Sequence, residues 1–160
     1  TVGPLISSDA VEEFEQATAT ALEAGGEVIA RAGSGEVGYF VSPVLIRQDD
    51  PMATVNQEET FGPLLTVMTV PDAAAAIEAA NSTRFGLVGA VHGRDLGKAV
   101  EVVSKIRCGL RRINAPTPGV DYYAPFGGEG MSSFGPREQG RAAREFFTST
   151  TTMTVVPATS

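Results

Sequence analysis

Hydrophobic and polar positions recur along the first part of the chain at two different spacings. Apolar residues follow Ser8 at helical spacing until Gly25 ends the segment, which predicts a helix. Glu27 to Ala32 then alternates like a strand, and a second extended run covers Tyr39 to Arg47. The glycine-rich segment 33–38 separates these two runs, so the pattern predicts a helix followed by two strands.

The middle of the chain repeats this change from strand spacing to helix spacing. The apolar run 64–70 predicts a buried strand, and Pro71-Asp72 begins an alanine-rich helix that extends to about Ala80. Further on, the pattern predicts a strand over 87–92, a helix that begins at Asp95 and ends at Gly109, and a strand over 110–114. This alternation is typical of the α/β class, with a mainly parallel open sheet flanked by helices.

The last third is more irregular. Residues 115–135 are rich in Pro, Gly and Ser with interspersed aromatic residues, which favours a binding loop over a disordered linker. Residues 138–147 predict a helix with Ala142, Ala143, Phe146 and Phe147 facing inward. The β-branched run from Thr148 to Val156 predicts a final strand.

Segment 33–38 matches Gly-x-Gly-x-x-Gly, but its surroundings do not suit a dinucleotide fingerprint. Such a fingerprint needs a helix that opens directly on its last glycine, whereas strand-like residues follow Gly38 here. We therefore expect a hairpin loop.

Composition restricts the possible functions. The 160 residues carry a formal net charge of −7 with scattered basic residues, so we expect no nucleic-acid partner. We expect no membrane partner, and the lack of a basic start and apolar core in residues 1–8 favours a cytoplasmic location. With one cysteine, Cys108, and one histidine, His92, we expect neither a Cys/His metal site nor a self-contained hydrolase triad.

The segment Glu58-Glu59-Thr60-Phe61-Gly62-Pro63 combines several kinds of candidate chemistry directly before a strand. A carboxylate can accept hydrogen bonds from both hydroxyls of a ribose, and a phenylalanine ring can pack on a flat heterocycle. Pro63 and Gly62 allow a sharp turn that could direct Glu59 and Phe61 into one cleft. The alternative from these residues alone is a solvated glutamate pair and a core phenylalanine.

A second segment favours the binding role of Glu59 and Phe61 over this alternative. Pro125-Phe126-Gly127-Gly128 is followed by Gly135-Pro136-Arg137-Glu138-Gln139-Gly140. Together with the first segment, in this order and at this separation, it resembles the C-terminal part of the NAD(P)-dependent aldehyde dehydrogenase superfamily. The run 132–140 is most similar to members that oxidise semialdehydes of oxo-acids, of the 2-oxoglutarate semialdehyde type.

The resemblance implies roles for individual residues. Glu59 would bind the hydroxyls of the nicotinamide ribose, and Phe61 would pack beside the nicotinamide of NAD or NADP. Phe126 would line the aldehyde pocket, and the loop 117–124, which carries Val120, Tyr122 and Tyr123, would shape its substrate end.

The resemblance also implies what this chain lacks. The family keeps its nucleophilic cysteine, its base glutamate and its nucleotide-binding half upstream of the segments present here, and Cys108 does not match the nucleophile motif. A buried structural thiol is the favoured interpretation of Cys108. We therefore expect no catalytic residue in this chain and no activity from it alone, although the parent enzyme would oxidise an aldehyde to an acid.

By the same resemblance, residues 1–148 form part of a catalytic domain, and residues 149–160 form a C-terminal oligomerisation strand and tail. The run 150–156 would pair with a neighbouring subunit and make a homo-oligomer, whereas the residues alone favour an ordinary edge or internal strand. Two departures from the family pattern leave a second hypothesis open, a non-catalytic assembly or interaction module. They are Gly130, where many members carry Lys, and the adjacent pair Arg111 and Arg112 in a predicted strand.

Overall fold

A computed structural model describes residues 2–35 and 37–158 of the chain. Thr1, Glu36 and residues 159–160 lie outside the described residues, and with them one position of the predicted loop 33–38 and the end of the predicted tail 149–160. The chain divides into two compact units, Thr1–Arg84 and Phe85–Ser160. The predicted division at residue 148 stays a prediction.

The first unit places helices beside a three-stranded sheet. Its helices are α1 (Ser8–Glu23), α2 (Thr54–Gln57) and α3 (Ala73–Asn81), and its strands are β1 (Glu27–Arg31), β2 (Val44–Arg47) and β3 (Leu64–Val67). Strand β2 lies in the middle, antiparallel to β1 and parallel to β3. Because consecutive strands β1 and β2 pair antiparallel, the hairpin predicted around segment 33–38 is confirmed.

The core of the first unit lies between α1 and one face of this sheet. Phe14 and Ala21 of α1 pack with Val44 and Ile46 of β2, all of them buried. The predicted burial of the run 64–70 is wrong: β3 ends at Val67, and along it half-buried and exposed residues alternate. The reason is that apolar side chains on alternate faces can be buried only where a layer covers that face.

The predicted extended run 39–47 also proves shorter as a strand. Only Val44–Arg47 pairs in the sheet, and β2 begins directly after Pro43. A proline cannot donate a ladder hydrogen bond, although the carbonyl of Pro43 still accepts one from the amide of Ala32 at 2.9 Å.

The second unit contains a strand–helix–strand motif and a separate short strand pair. Its elements are β4 (Phe85–Gly86), β5 (Val88–Val91), α4 (Leu96–Lys105), β6 (Leu110–Ile113), β7 (Glu129–Gly130), a 3₁₀ helix (Gly140–Ala142) and α5 (Ala143–Phe147). Strands β5 and β6 pair parallel on either side of α4 in the sequence, and β4 pairs antiparallel with β7. The α/β class and its parallel strand pairs are thus confirmed.

Helix α4 begins where the sequence predicts and ends earlier. The carboxylate of Asp95 accepts a hydrogen bond from the amide of Lys98 at 3.0 Å, which caps the first turn. The helix stops at Lys105 because Ile106 takes an extended conformation, so Gly109 does not end it. Gly109 instead allows a close backbone contact, since a Cβ there would lie 1.7 Å from the carbonyl oxygen of Gly127.

The helix predicted over 138–147 is wrong in its first part. Glu138 bonds through both its amide and its carbonyl to Phe126, and Gln139 has a left-handed φ of 67°. The pairing of Glu138 and the left-handed backbone of Gln139 prevent a helix from starting before Gly140. The inward orientation predicted for Phe146 and Phe147 is also wrong, because both side chains are exposed and pack edge to face on each other.

Residues 148–158 take no regular secondary structure within the chain. Their side chains are exposed throughout, including Met153, Val155 and Val156. A strand that forms only with a neighbouring subunit would have no partner in a single chain, so the predicted oligomerisation strand stays a prediction. Among the described helices, none combines the length and the apolar character needed to cross a bilayer.

Candidate functional site

The loop from Glu58 to Pro63 is anchored at both ends. Glu58 follows α2, its amide donates to the carbonyl of Thr54 at 2.8 Å, and its carboxylate forms an ion pair with Arg84. At the other end, the carbonyl of Pro63 accepts a hydrogen bond from the amide of Val44 at 3.0 Å. The loop is therefore fixed to both the helix before it and the sheet after it.

Phe61 lies at the outermost point of this loop. The amide of Gly62 donates to the carbonyl of Thr60 at 2.8 Å, which closes a three-residue turn with Phe61 in its centre. The ring of Phe61 is 75% exposed, and Glu59 is also exposed. The core position considered for this phenylalanine is wrong, because the turn directs its ring away from the protein.

Gly62 has a different role from the one its sequence position suggested. Its φ lies outside the left-handed region, and a Cβ at this position would lie 2.5 Å from Cδ2 of Phe14. The glycine is thus required for close packing, because the loop rests directly on a buried ring.

A groove runs beside the same loop. It has a volume of about 490 Å³ and is formed by α1, α2 and the loop, and Glu58 and Thr60 are among its lining residues. Glu59 and Phe61 lie outside it. The expectation that a cleft receives both Glu59 and Phe61 therefore stays a prediction.

In the second unit, two of the predicted substrate residues meet at one pocket. Val120 and Phe126 both line an apolar cavity of about 300 Å³. The other lining residues come from strands β5 and β6, from the position just before β5 and from the loop that follows β6; they are Leu87, Val88, Leu110, Thr117, Pro118 and Gly119. A small apolar cavity with few polar groups suits the uncharged part of a small organic molecule.

Phe126 is held firmly at this pocket. Its amide donates to the carbonyl of Glu138 at 2.6 Å, and the amide of Glu138 donates back to the carbonyl of Phe126 at 2.9 Å. This pair of hydrogen bonds ties the Pro125–Gly128 motif to the Gly135–Gly140 motif, the two parts of the sequence signature.

Tyr122 and Tyr123 do not line the pocket. Their rings are 85% and 64% exposed and pack edge to face with centroids 5.5 Å apart. The hydroxyl of Tyr123 donates to Asp121 at 3.2 Å, and this hydrogen bond raises the pKa of Tyr123 above its ordinary value. The substrate role of the two tyrosines stays a prediction.

The glycine-rich turn beside Phe126 depends on side chains that sequence reasoning did not select. The hydroxyl of Ser133 accepts from the amide of Gly128 at 2.6 Å, and the hydroxyl of Ser132 accepts from the amide of Gly86 at 2.9 Å. Arg137 donates to the carbonyl of Gly128. A glycine-rich turn leaves backbone groups without partners in a strand ladder. The polar residues close to it in the sequence could therefore have been predicted to form hydrogen bonds with its backbone.

The departures from the family pattern have local structural partners. Arg111 donates through Nε to the carbonyl of Ile106 at 3.2 Å, whereas Arg112, on the opposite face of β6, donates to the carbonyl of Gly119. Gly130 has a φ of 58°, a conformation that a lysine would adopt only with strain. All three residues are therefore accommodated by the fold.

The one cysteine of the sequence is not available for chemistry in this structure. Cys108 is 4% exposed, and its thiol lies 3.2 Å from the carbonyl oxygen of Leu110 as a hydrogen-bond donor. The predicted buried structural thiol is confirmed.

Comparison with known proteins supplies the context for these two sites. A model of the aldehyde dehydrogenase family matches residues 1–153. The alpha-ketoglutaric semialdehyde dehydrogenase of Bacillus subtilis (strain 168) is 37% identical over 147 residues, which are 92% of this chain and 30% of that protein. The alpha-ketoglutarate semialdehyde dehydrogenase of Haloferax volcanii is 32% identical over 154 residues, again 92% of this chain and 32% of that protein.

Solved structures show the same relationship. An aldehyde dehydrogenase of Mycobacterium tuberculosis complexed with NAD+ superposes with a TM-score of 0.81 at 32% identity, over 89% of this chain and 29% of that one. A betaine aldehyde dehydrogenase of Staphylococcus aureus in complex with NAD+ gives a TM-score of 0.83 at 31% identity, over 91% of this chain and 29% of that one. The chain therefore spans about 30% of the length of the relatives that it matches.

Proposed function

The chain belongs to the aldehyde dehydrogenase family, and we propose that it is the C-terminal part of a catalytic domain that oxidises an aldehyde or semialdehyde to a carboxylic acid with NAD(P). The observation that carries this proposal is the anchored loop 58–63, which presents an exposed carboxylate and an exposed ring two positions apart. The two relatives named as semialdehyde dehydrogenases favour a semialdehyde as the substrate.

Glu59 and Phe61 would hold the cofactor, which supplies the hydride acceptor. Glu59 can accept hydrogen bonds from both ribose hydroxyls, and Phe61 offers a flat apolar face for the nicotinamide. The residues fit this group because their loop is fixed at both ends while both side chains remain open to solvent. A fixed loop orients a bound ring without having to become ordered first.

Val120 and Phe126 would bind the carbon chain of the aldehyde. They meet at the apolar pocket of the second unit, and Phe126 is held there by its paired hydrogen bonds with Glu138. Apolar walls exclude water from a bound aldehyde. We extend the proposal to Tyr122 and Tyr123 because they lie two and three positions after Val120 in the same loop.

This chain alone would be inactive. Cys108 is buried, and the nucleophilic cysteine, the base glutamate and the nucleotide-binding half are expected in the remaining length of a family member. The exposed apolar side chains of Leu65 and Val67 on β3 support this proposal, because an open apolar sheet face is unusual in a complete domain. We also propose a cytoplasmic homo-oligomer that assembles through residues 150–156.

The role of Glu59 can be tested in the longest natural form of the polypeptide that contains these residues. Glu59→Gln keeps the shape and removes the charge, so we expect kcat for aldehyde oxidation to fall roughly 10²-fold, because a misplaced nicotinamide accepts hydride poorly. The Kd for the cofactor should change much less. Steady-state kinetics with short semialdehydes, together with a cofactor-binding titration, measures both quantities.

Glu101→Gln is the control for this experiment. Glu101 is also an exposed carboxylate with a cationic partner, Lys105, but it lies on α4 and not in the loop 58–63, so its loss should leave kcat within about twofold, as expected when a change removes no transition-state contact. Unchanged kinetics in Glu59→Gln would sink the assignment of the cofactor site. A complete absence of aldehyde oxidation in the wild-type protein would favour the second hypothesis, a non-catalytic assembly module.

A further inference from the structure

Arg112 forms a hydrogen bond with the loop that lines the apolar pocket of the second unit. The guanidinium of Arg112 donates to the carbonyl of Gly119, and Gly119 and its neighbour Val120 both line the cavity. No role for Arg112 follows from the sequence pattern, in which two adjacent arginines interrupt a strand. We propose that Arg112 is a positioning residue that fixes Val120 at the pocket and thereby determines how tightly the aldehyde is bound, an inference that rests on the proposed function.

The geometry of β6 directs Arg112 toward this loop. Successive residues of a strand point to opposite faces, so Arg112 lies on the same face as Leu110, and Arg111 lies on the other. Leu110 lines the pocket. The hydrogen bond from the guanidinium to Gly119 therefore holds the loop on the face of β6 that carries Leu110.

The other end of the same loop is fixed by Asn114. Its side-chain amide group donates to the carbonyl of Gly93 at 2.9 Å, and its side-chain oxygen accepts from the amide of Gly93 at 2.8 Å. Residues 115–119 thus lie between two anchors, Asn114 just after β6 and the guanidinium of Arg112 on β6. Among the described residues, the backbone of 115–120 takes part in no backbone–backbone hydrogen bond outside regular elements, so the hydrogen bond from Arg112 is an anchor for this segment at Gly119.

Loss of that hydrogen bond has a defined consequence for binding. Ordering a backbone costs conformational entropy, so a loop that is free before binding lowers the affinity for the ligand by roughly an order of magnitude. The chemistry at the nicotinamide would be spared, because the loop contacts the substrate chain. We therefore expect Arg112→Met to raise KM for the aldehyde about tenfold, with kcat and the KM for cofactor within about twofold.

The experiment uses the longest natural form with three substitutions, Arg112→Met, Arg112→Lys and Arg111→Met. Lysine retains one donor that can reach the Gly119 carbonyl, and Arg111→Met removes a neighbouring guanidinium from the opposite face. The structural readout is the set of nuclear Overhauser effects between the Val120 methyls and the other side chains that line the pocket. Equal melting temperatures of the two methionine variants establish that both fold alike. If Arg112→Met does not fold, Arg112→Leu replaces it, because leucine also removes the donor to Gly119 and the same loss is expected.

We expect the contact of Val120 with the pocket wall, seen as these nuclear Overhauser effects, in the wild type, in Arg111→Met and in Arg112→Lys. We expect its loss in Arg112→Met together with the rise in KM. Persistence of the contact in Arg112→Met would overturn the proposal, and so would an unchanged KM despite its loss. If no form oxidises an aldehyde, the proposed function falls with the role in aldehyde binding, whereas the contact still decides whether Arg112 positions the loop.

Discussion

Gly62 lets the loop 58–63 lie directly on the ring of Phe14. A methyl group at Gly62 would lie 2.5 Å from Cδ2 of this ring, and Phe14 is buried in the core, so the ring cannot move aside freely. We expect Gly62→Ala to lower the free energy of unfolding by about 1–3 kcal/mol, the usual range for overpacking. Urea unfolding of the two proteins measures this difference.

Gly33→Ala is the control for this substitution. No atom lies within 4 Å of a Cβ at Gly33, and its φ is outside the left-handed region. Its unfolding free energy should therefore change by less than about 1 kcal/mol. Equal urea midpoints for the two variants would contradict close packing at Gly62.

Single residues also show how far the sequence was informative. The sequence predicted Glu59 and Phe61 as chemically interesting, because a carboxylate, a ring and a sharp turn are local features. It did not predict why Gly62 is needed, since Phe14 lies 48 positions earlier and the contact exists only in the folded chain. In the sequence, Arg112 was only an irregularity in a strand pattern. Its hydrogen bond with Gly119 depends on the folded loop, so the pattern could not predict it.

At the scale of secondary-structure elements, Asp49 joins the ends of two neighbouring strands. It follows β2, accepts a hydrogen bond from the amide of Thr69 beyond β3 at 3.1 Å, and pairs with Arg47 at 2.8 Å. The hydrogen bond from Thr69 and that from Arg47 lower the pKa of Asp49 below its ordinary value. The ionised carboxylate therefore stabilises the folded chain.

This linkage predicts how stability depends on pH. A lowered folded pKa adds stability that is fully present above the unfolded value of about 4 and is lost as the pH falls through the folded pKa. We expect Asp49→Asn to be less stable than the wild type at pH 6, and the difference in stability between the two proteins to shrink as the pH falls below about 4. Urea midpoints measured from pH 3 to pH 7 test this.

Arg47→Gln separates the two causes. It removes the ion pair but keeps the larger contribution, the amide of Thr69, so its pH dependence should lie between those of the wild type and Asp49→Asn. A pH dependence in Asp49→Asn equal to that of the wild type would contradict the role given to Asp49.

Element boundaries were predictable where local chemistry determines them. Asp72 and Asp95 cap α3 and α4 as the sequence indicated, since a side-chain cap acts within three residues. The helix predicted over 138–147 failed because Glu138 pairs with Phe126, a partner twelve positions away. The prediction that β3 is buried was wrong because the number of apolar residues in a strand does not determine which of its faces another layer covers.

At the scale of the whole molecule, the C-terminal run 150–156 is the segment proposed for assembly. In the longest natural form, Thr152→Pro should reduce the molar mass measured by light scattering to that of a smaller assembly, because proline removes a donor from an intermolecular ladder. Thr152→Val keeps the β-branched character and should leave the mass unchanged. An unaltered mass in Thr152→Pro would exclude this strand from the interface.

In the function proposed above, these residues supply the cofactor and substrate contacts of an aldehyde dehydrogenase, and the reacting groups lie elsewhere in the polypeptide. The most direct measurement is NAD-dependent oxidation of short semialdehydes by the 160-residue chain and by its longest natural form, side by side. We expect NADH and carboxylic acid to be formed by the longer form alone. Turnover by the 160-residue chain itself, or none by a longer form that carries the cysteine and the nucleotide-binding half, would contradict this proposal.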